Sequence, residues 1–286
     1  MHFSFKGFVL SVGLILFAHS IIVFAQNPSA TPAPTPVPTP QPTPTPVAAT
    51  QLNPQGKVDK NAPIVFTAEQ VAEGVILIFG SRNAMNQIKR TTQEKGKLTT
   101  NYSDGTSESA TYEKRIIRGE SAEKDKWRID QKYPSGDYAM VFNTKSFGVL
   151  SGSVFTPKQE AIDSFEAQIW HNFDTLFRYK ENGSTLALQE KQKTLGVEYY
   201  VLDITDKNAR KTRFLISTKS LKILALEYEM GGVKYVRKFY DYRPAQGTFV
   251  PFRTVLLGND KQVEESTIST ITYGQKVDES FFSETS

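Results

Sequence analysis

His171 is the residue whose type most readily suggests acid–base chemistry, because it is the one histidine that remains once an N-terminal signal is removed. A Ser-His-Asp site would have to use it, and Asp174 follows three residues later. A general base also needs a positioned nucleophile. The sequence has no G-x-S-x-G motif, and the serine-rich turn at residues 151–153 has no other support. We therefore predict no catalytic residue, and a polar role for His171 at the surface or partly buried.

Metal and cofactor sites are not indicated either. The chain has no cysteine, which excludes thiol catalysis, zinc–thiolate sites and iron–sulfur clusters. It also lacks an H-E-x-x-H motif, a calcium-binding loop and a glycine-rich phosphate loop. Glu227 and Glu229 share one strand face, but a carboxylate pair hydrolyses glycosides only when a cleft holds it at the required separation. We read this pair as solvent-facing and expect no metal ion and no cofactor.

The charge pattern argues against a nucleic-acid partner. The formal net charge is +4, and loss of a signal segment that contains Lys6 and no acid leaves +3. Basic and acidic residues are interleaved, as in EKDKWRIDQK at 123–132, so the sequence has no basic stripe. A weak attraction to anionic lipid headgroups remains compatible with the sign.

The N-terminus resembles an export signal. His2 and Lys6 precede an apolar run from Phe8 to Phe24, with Val23 and Ala25 at the −3 and −1 positions of a cleavage site. The alternative is an uncleaved anchor, but the run is short for a membrane span and contains His19. We predict a signal peptide at residues 1–25 and a periplasmic or otherwise exported protein, membrane-anchored if the signal stays.

A proline- and threonine-rich segment follows, and we assign residues 26–61 to a disordered tether. Proline at alternate positions favours extended polyproline II, which makes a stiff spacer. It is either a wall-crossing or membrane-proximal tether or a leader without a role. No internal repeat divides the remainder, so we predict one domain at residues 62–286.

The domain begins with helices and continues with strands. T-A-E-Q fits a capping box with Thr67 as N-cap, and a second short helix is predicted at 83–90. Between Gly96 and Leu150 the periodicity changes to two, which predicts four or five antiparallel strands. A second capping box at residues 156–159 opens one long amphipathic helix, QEAIDSFEAQIWHNFDTLFRYK.

Seven further strands are predicted after Asn182-Gly183. Because strands and helices do not alternate, a parallel doubly wound sheet is excluded. The order predicts an α+β fold in which helices cover the concave face of a strongly curved antiparallel sheet.

The closing segment carries a resemblance to a known family. YDYRPAQGTFVPFRTVLLGNDKQVEESTISTITYGQKVDESFFS is similar to the pattern of the LolA-like periplasmic lipoprotein carriers, and the likeness in layout covers most of residues 65–283. The residues that carry it are Tyr240, Asp241, Tyr242, Gly247, Pro251, Gly258, Val277, Asp278 and Phe281. The resemblance implies an open half-barrel with a helical lid that carries lipid or lipoprotein acyl chains without a covalent bond. The proline tether and the longer domain depart from a minimal carrier.

The sequence is rich in aromatic and aliphatic residues but has no cluster of polar residues to accompany them. This composition predicts either an ordinary core or an apolar cavity for an acyl chain. For the cavity we expect the lid face and the sheet lining to consist of apolar side chains. The lid residues are Ile162, Phe165, Ile169 and Phe173, and the sheet residues are Trp127, Ile129, Tyr138, Met140, Phe142, Leu224, Leu226, Tyr228 and Phe252.

The expected partner is a lipid or a lipidated protein, and an envelope membrane protein is a second possible partner. We expect no enzymatic activity, no nucleic acid and a monomer. The alternative function is a structural or interaction module of the envelope, positioned by its tether and with a solid core. An exported hydrolase ranks behind both because the sequence offers it no nucleophile, base or metal set.

Overall fold

The computed structural model describes residues 66–88 and 90–284. The predicted signal peptide, the tether and the domain boundary at residue 62 lie outside the described residues and remain predictions. No helix among the described residues combines the length and the apolar character that crossing a membrane requires.

Two short helices open the domain. Helix α1 spans Ala68–Ile78 and α2 spans Arg82–Ile88. The predicted capping box is confirmed, because the Thr67 hydroxyl accepts from the Gln70 backbone N–H at 3.2 Å and the Thr67 N–H donates to the Gln70 side chain at 2.8 Å. Helix α1 buries Val71, Val75 and Ile76 on one face, as its three-to-four spacing predicts.

Six antiparallel strands follow. They are β1 (Thr91–Asn101), β2 (Ser107–Ile117), β3 (Lys126–Tyr133), β4 (Gly136–Asn143), β5 (Lys145–Leu150) and β6 (Ser153–Phe155). The predicted strands are present, but the sheet begins at Thr91 instead of Gly96 and includes one additional short strand.

The predicted long helix is two helices. Helix α3 spans Gln159–Trp170 and α4 spans Phe173–Phe177. The break comes at Asn172, whose side chain accepts from the Asp174 backbone N–H and whose own N–H donates to the Thr175 hydroxyl. The predicted capping box at residues 156–159 is wrong, because α3 starts after Lys158 without a side-chain cap.

Seven strands complete the chain, as predicted. They are β7 (Thr185–Thr194), β8 (Val197–Thr205), β9 (Lys211–Ser217), β10 (Ile223–Met230), β11 (Val233–Ala245), β12 (Thr248–Gly258) and β13 (Lys261–Tyr273). A 3₁₀ turn at Glu279–Phe282 follows.

The strands of the described region form a single antiparallel sheet of thirteen strands, ordered 6-5-4-3-2-1-13-12-11-10-9-8-7. Two meanders are joined by the pairing of β1 with β13, where Gly96 lies at a bulge. A Cβ on Gly96 would lie 2.3 Å from the Thr267 carbonyl oxygen, so only glycine fits this close approach. Strands β6 and β7 are the two edges, so the sheet is not closed, and the α3–α4 connection runs from one edge to the other.

Helices cover one face of this sheet. A large cluster holds α1 and α4 against β8–β11, with Phe79, Leu202 and Phe214 fully buried in it. A second cluster holds α3 against β2–β4, and on the opposite face Val141 packs against Phe282 of the C-terminal turn. The predicted α+β class, a curved open antiparallel sheet with helices on its concave face, is confirmed.

Candidate functional site

A pocket of about 200 Å³ lies between the α3–α4 junction and the central strands of the sheet. The junction contributes Gln168, Asn172, Phe173 and Asp174, and the other lining residues come from β1–β3, β11–β13 and Arg118 just after β2. The pocket therefore lies where the two meanders join, beneath the point at which the long helix breaks.

One wall of the pocket carries an ion pair between the neighbouring strands β1 and β2. Lys114 Nζ lies 2.7 Å from Glu94 Oε1, and the Tyr112 hydroxyl donates to the same carboxylate at 2.8 Å. The Glu94 side chain is only 8 % exposed, so the ion pair compensates for the desolvation of a buried charge. Burial and the neighbouring Glu94 charge raise the pKa of Tyr112 far above its usual value, so this hydroxyl stays a donor.

A second ion pair fixes α4 to the sheet. Arg118 Nε donates to Asp174 Oδ2 at 2.6 Å, and Arg118 Nη1 donates to the Thr92 hydroxyl at 3.1 Å. Next to it, Nη1 of Arg178, at the end of α4, contacts both carboxylate oxygens of the buried Asp125 at 2.8 and 3.0 Å, and Nη2 donates to the Gly119 carbonyl oxygen at 2.8 Å. Because the two ends of the guanidinium are held by different groups and the bond to Asp125 is charge-assisted, α4 is held firmly.

Arg237 and Glu264 line the pocket from β11 and β13 without forming a salt bridge to each other. Arg237 Nη1 donates weakly to the His171 carbonyl oxygen at 3.4 Å, and its buried Nε has no hydrogen-bond acceptor within the described residues. Glu264 is partly buried, and this burial raises the pKa of its carboxyl group despite the nearby Arg237 and Lys114.

Trp127 connects this pocket with the apolar cluster under α3. Its side chain lines the pocket and also packs with Ile116 in that cluster. The residue is 5 % exposed, and its Nε1–H finds no acceptor in the described part of the chain. The remaining wall is apolar and is formed by Phe173, Phe239, Phe249, Val250, Pro251, Ile268 and Ile271.

Eight of the predicted ligand-binding residues meet in the cluster under α3. They are Ile162, Phe165 and Ile169 from the helix and Trp127, Ile129, Tyr138, Met140 and Phe142 from β3 and β4. The pocket is mixed in character, unlike the predicted apolar cavity, and only Trp127 and Phe173 of the thirteen predicted residues line it. Phe173, Leu226 and Tyr228 belong to the large cluster instead.

Two predicted residues lie in neither cluster. A bulge in β10 leaves Leu224 between Ile223, which pairs with Ile216, and Ala225, which pairs with Leu215. The bulge shifts the alternation, so Ile223 is fully buried where Leu224 was expected.

Phe252 is displaced for a similar reason. Opposite it in β11, Asp241 adopts a φ of 53°, and the alternation reverses there so that Phe239 and Tyr242, three residues apart, both pack in the large cluster. Phe252 packs instead against the guanidinium of Arg243, 4.7 Å from the ring centre.

The charged residues of the pocket were missed by sequence reasoning, although a signal was present. Tyr112, Lys114, Ile116 and Arg118 alternate from β2 into the residue after it, and all four line the pocket. Charged side chains on the same strand face as buried apolar ones are unusual unless they are paired. Alternation could therefore have indicated a polar site on the inner face.

His171 is buried, whereas we predicted a polar residue at the surface or partly buried. Its Nδ1 lies 2.7 Å from the Thr212 hydroxyl, and its ring stacks on Tyr228 with centres 4.2 Å apart. Burial, assisted by Arg237 and Arg210, lowers the pKa of His171 to about 4. The ring is neutral at pH 7 and has a packing role. Within the described residues no cluster of three or more candidate ligands could hold a metal ion.

Comparisons with known proteins identify the fold through similar solved structures. No protein-family model and no curated protein matches the sequence. A DUF1329 family protein from Desulfovibrio piger superposes with a TM-score of 0.56 at 11 % identity, covering 77 % of this chain and 98 % of the other. A LolA superfamily protein from Nitrosomonas europaea superposes with a TM-score of 0.53 at 13 % identity, covering 77 % and 98 %.

The chain has a LolA-like fold. A domain from Vibrio parahaemolyticus described as an outer membrane lipoprotein-sorting protein agrees, with a TM-score of 0.53 at 13 % identity over 76 % of this chain and 95 % of that domain. The resemblance noted in the closing strands is thereby confirmed at the level of structure. At these identities the likeness establishes the LolA-like fold alone.

Proposed function

We propose that this protein is an exported, non-enzymatic binding protein that holds the acyl chains of a lipid or lipidated protein beneath α3. The observation that carries the proposal is the interface between α3 and β2–β4, where Phe165 and Ile169 pack on an apolar sheet face. This cluster is distinct from the large core, to which α3 contributes Ala167, so α3 can leave the sheet while most of the core stays intact.

The attachments of the two helices support a movable α3 and a fixed α4. In the described part of the chain, the polar links from α3 side chains to the strands and loops are few. The Ser146 hydroxyl donates to the Glu166 carboxylate at 2.7 Å, and the guanidinium carbon of Arg210 lies 3.8 Å from the centre of the Trp170 ring. Helix α4, by contrast, has the ion pairs of Asp174 and Arg178 and receives Arg82 on the Phe177 carbonyl. The break at Asn172 is then the hinge.

The pocket of about 200 Å³ is smaller than the roughly 300–1,000 Å³ of typical ligand sites. Uptake of an acyl chain therefore requires α3 to move away from the sheet. The acyl chain then replaces the apolar contacts that the helix made with the sheet. Burial of ten methylenes contributes about 8 kcal/mol before ordering and opening costs, at ~0.8 kcal/mol per methylene. That amount is compatible with reversible carriage.

Other features agree with a binding role. His171 is packed and neutral, and the fold is shared with a domain described as lipoprotein-sorting. A lipid cargo fits an exported, monomeric protein that meets an envelope membrane partner.

The packed cluster under α3 also favours the second candidate, an envelope interaction module whose inner face is filled by its own side chains. This candidate predicts no acyl binding under any condition.

The test is to loosen α3 without disturbing its apolar face. Glu166→Ala removes the link to Ser146, a hydrogen bond worth about 1 kcal/mol, and we expect about fivefold tighter binding of a fluorescent fatty acid because the open state becomes more populated. Asp163→Ala is the matched control, since the one hydrogen-bond partner of its side chain among the described residues is Gln159 of the same helix. Equal affinities in wild type and Glu166→Ala would contradict a lid role for α3, and no binding in any variant would favour the interaction module.

A further inference from the structure

Two N–H donors, each on a residue that lines the pocket, are buried and have no acceptor among the described residues. They are Nε1 of Trp127 and Nε of Arg237. A buried donor without an acceptor destabilises the fold, and most such groups in native proteins are satisfied. Two at one pocket point to a ligand that brings acceptor oxygens.

The pairing of charged side chains in the pocket also favours a ligand with acceptor oxygens. Lys114 is paired with Glu94, and Arg118 is paired with Asp174. Arg237 makes no salt bridge with a carboxylate in the described region, and neither does Glu264 with a cation. Burial raises the pKa of Glu264 and so weakens its compensation of the nearby Arg237 guanidinium, which has no salt bridge of its own among the described residues.

We propose that the pocket binds the anionic headgroup, a phosphate or carboxylate, of an amphiphilic ligand, with Arg237 and the Trp127 Nε1–H donating to its oxygens. The inference deepens the proposed function and rests on it for the acyl part of the ligand. A guanidinium is well suited to this task because its planar donors match the oxygen spacing of phosphate and carboxylate.

The position of the pocket fits such a ligand. The volume of about 200 Å³ is large enough to accommodate a headgroup. Trp127 and Ile116 belong both to the pocket and to the cluster under α3. A headgroup in the pocket would therefore place its acyl chain at the edge of the face that α3 covers.

Calorimetric titration of the full chain with hexyl phosphate, hexanol and inorganic phosphate tests the inference. We expect hexyl phosphate to bind at least tenfold more tightly than hexanol or inorganic phosphate. Arg237→Gln should weaken hexyl phosphate binding at least tenfold, and Trp127→Phe should weaken it about fivefold. The matched control is Arg253→Gln, since Arg253 pairs with Glu265 outside the pocket lining and this change should leave hexyl phosphate binding intact.

Trp127→Phe separates binding from folding. It keeps an aromatic ring in the cluster but removes the unpartnered N–H, so the urea midpoint should not fall while hexyl phosphate affinity does. A lower midpoint with unchanged affinity would assign Trp127 a packing role only and overturn its part in the site.

The remaining outcomes decide between the sources of the anion. Equal binding of hexyl phosphate and inorganic phosphate, both weakened by Arg237→Gln, would assign the site to free phosphate and overturn the amphiphile. Equal binding of hexyl phosphate and hexanol, unaffected by Arg237→Gln, would overturn the anion site and leave the proposed function standing. Binding of hexyl phosphate that depends on Arg237, without binding of a long-chain fatty acid, would retain the anion site and refute acyl carriage.

Discussion

At the scale of single residues, His171 shows how environment decides the role of a side chain. Its type suggests acid–base chemistry, yet its ring is stacked on Tyr228 and bonded to Thr212 in the interior. A base with a pKa of about 4 is unprotonated at neutral pH and is a weak general base. The buried imidazole instead makes folding sensitive to pH.

The sign of that sensitivity follows from the direction of the pKa shift. An unfolded histidine has a pKa of ≈6.5, so between pH 6.5 and about 4 the unfolded chain binds a proton at His171 that the folded chain does not. The contribution of His171 is therefore fully present above pH 6.5 and is lost as the pH falls towards 4.

We predict that His171→Asn, which keeps an acceptor for the Thr212 hydroxyl, flattens the acid side of the stability profile. Between pH 7 and pH 4.5 the free energy of unfolding should fall by about 2 kcal/mol less in the variant than in wild type. Urea unfolding at both pH values measures this difference, and the carboxylates cancel because both proteins contain them. Parallel profiles would contradict a buried neutral His171.

The residues of the pocket mark the limit of sequence reasoning at this scale. Apolar periodicity identified Phe165, Ile169 and Trp127, because burial of such side chains follows directly from pattern. Lys114 and Glu94 are paired across strands β1 and β2, and that pairing depends on the register of two strands. A bulge and a left-handed residue displaced Leu224 and Phe252, and neither feature has a signal in strand alternation.

At the scale of elements, the hairpin between β7 and β8 carries an unusual turn. Its two central residues, Leu195 and Gly196, have φ angles of 50° and 78°, the pattern of a type I′ turn. Leucine is poorly suited to that conformation, whereas asparagine is favoured there, and the Leu195 side chain is 98 % exposed.

We predict that Leu195→Asn stabilises the protein by about 1 kcal/mol, because it relieves a left-handed leucine and gives up almost no buried surface. The urea midpoint at pH 7 measures the effect. Leu195→Val is the control and should lower the midpoint, since a β-branched residue is still less tolerant of positive φ. A lower midpoint for Leu195→Asn would mean that Leu195 makes stabilising contacts.

The helices show what local sequence can and cannot predict about elements. The Thr67 capping box was predicted because both of its partners are close in sequence. In the predicted long helix, Ile169 and Phe173 keep the apolar spacing on either side of residues 171 and 172. Periodicity alone therefore cannot reveal the break between α3 and α4. The local signal for the break is Asn172, whose side chain caps the start of α4. The apolar spacing on both sides of Asn172 made one continuous helix the simpler prediction.

At the scale of the whole molecule, the order of strands determined the fold class. Seven consecutive strands after α4 and a second meander before it exclude alternating β–α units, and the sheet has that form. The pairing of β1 with β13 could not be predicted, because it joins segments from the two ends of the domain. That pairing forms the floor of the pocket and places Glu94 and Glu264 at one site.

The central claim is that the open sheet holds an acyl-bearing ligand beneath α3. Native mass spectrometry of the protein, purified gently from a bacterial envelope and then extracted with organic solvent, tests it most directly. We predict a stoichiometric added mass that disappears on extraction, with a fragment pattern that contains an acyl chain. A bare polypeptide mass that stays bare after incubation with phospholipids and acylated peptides would contradict the claim and favour the interaction module.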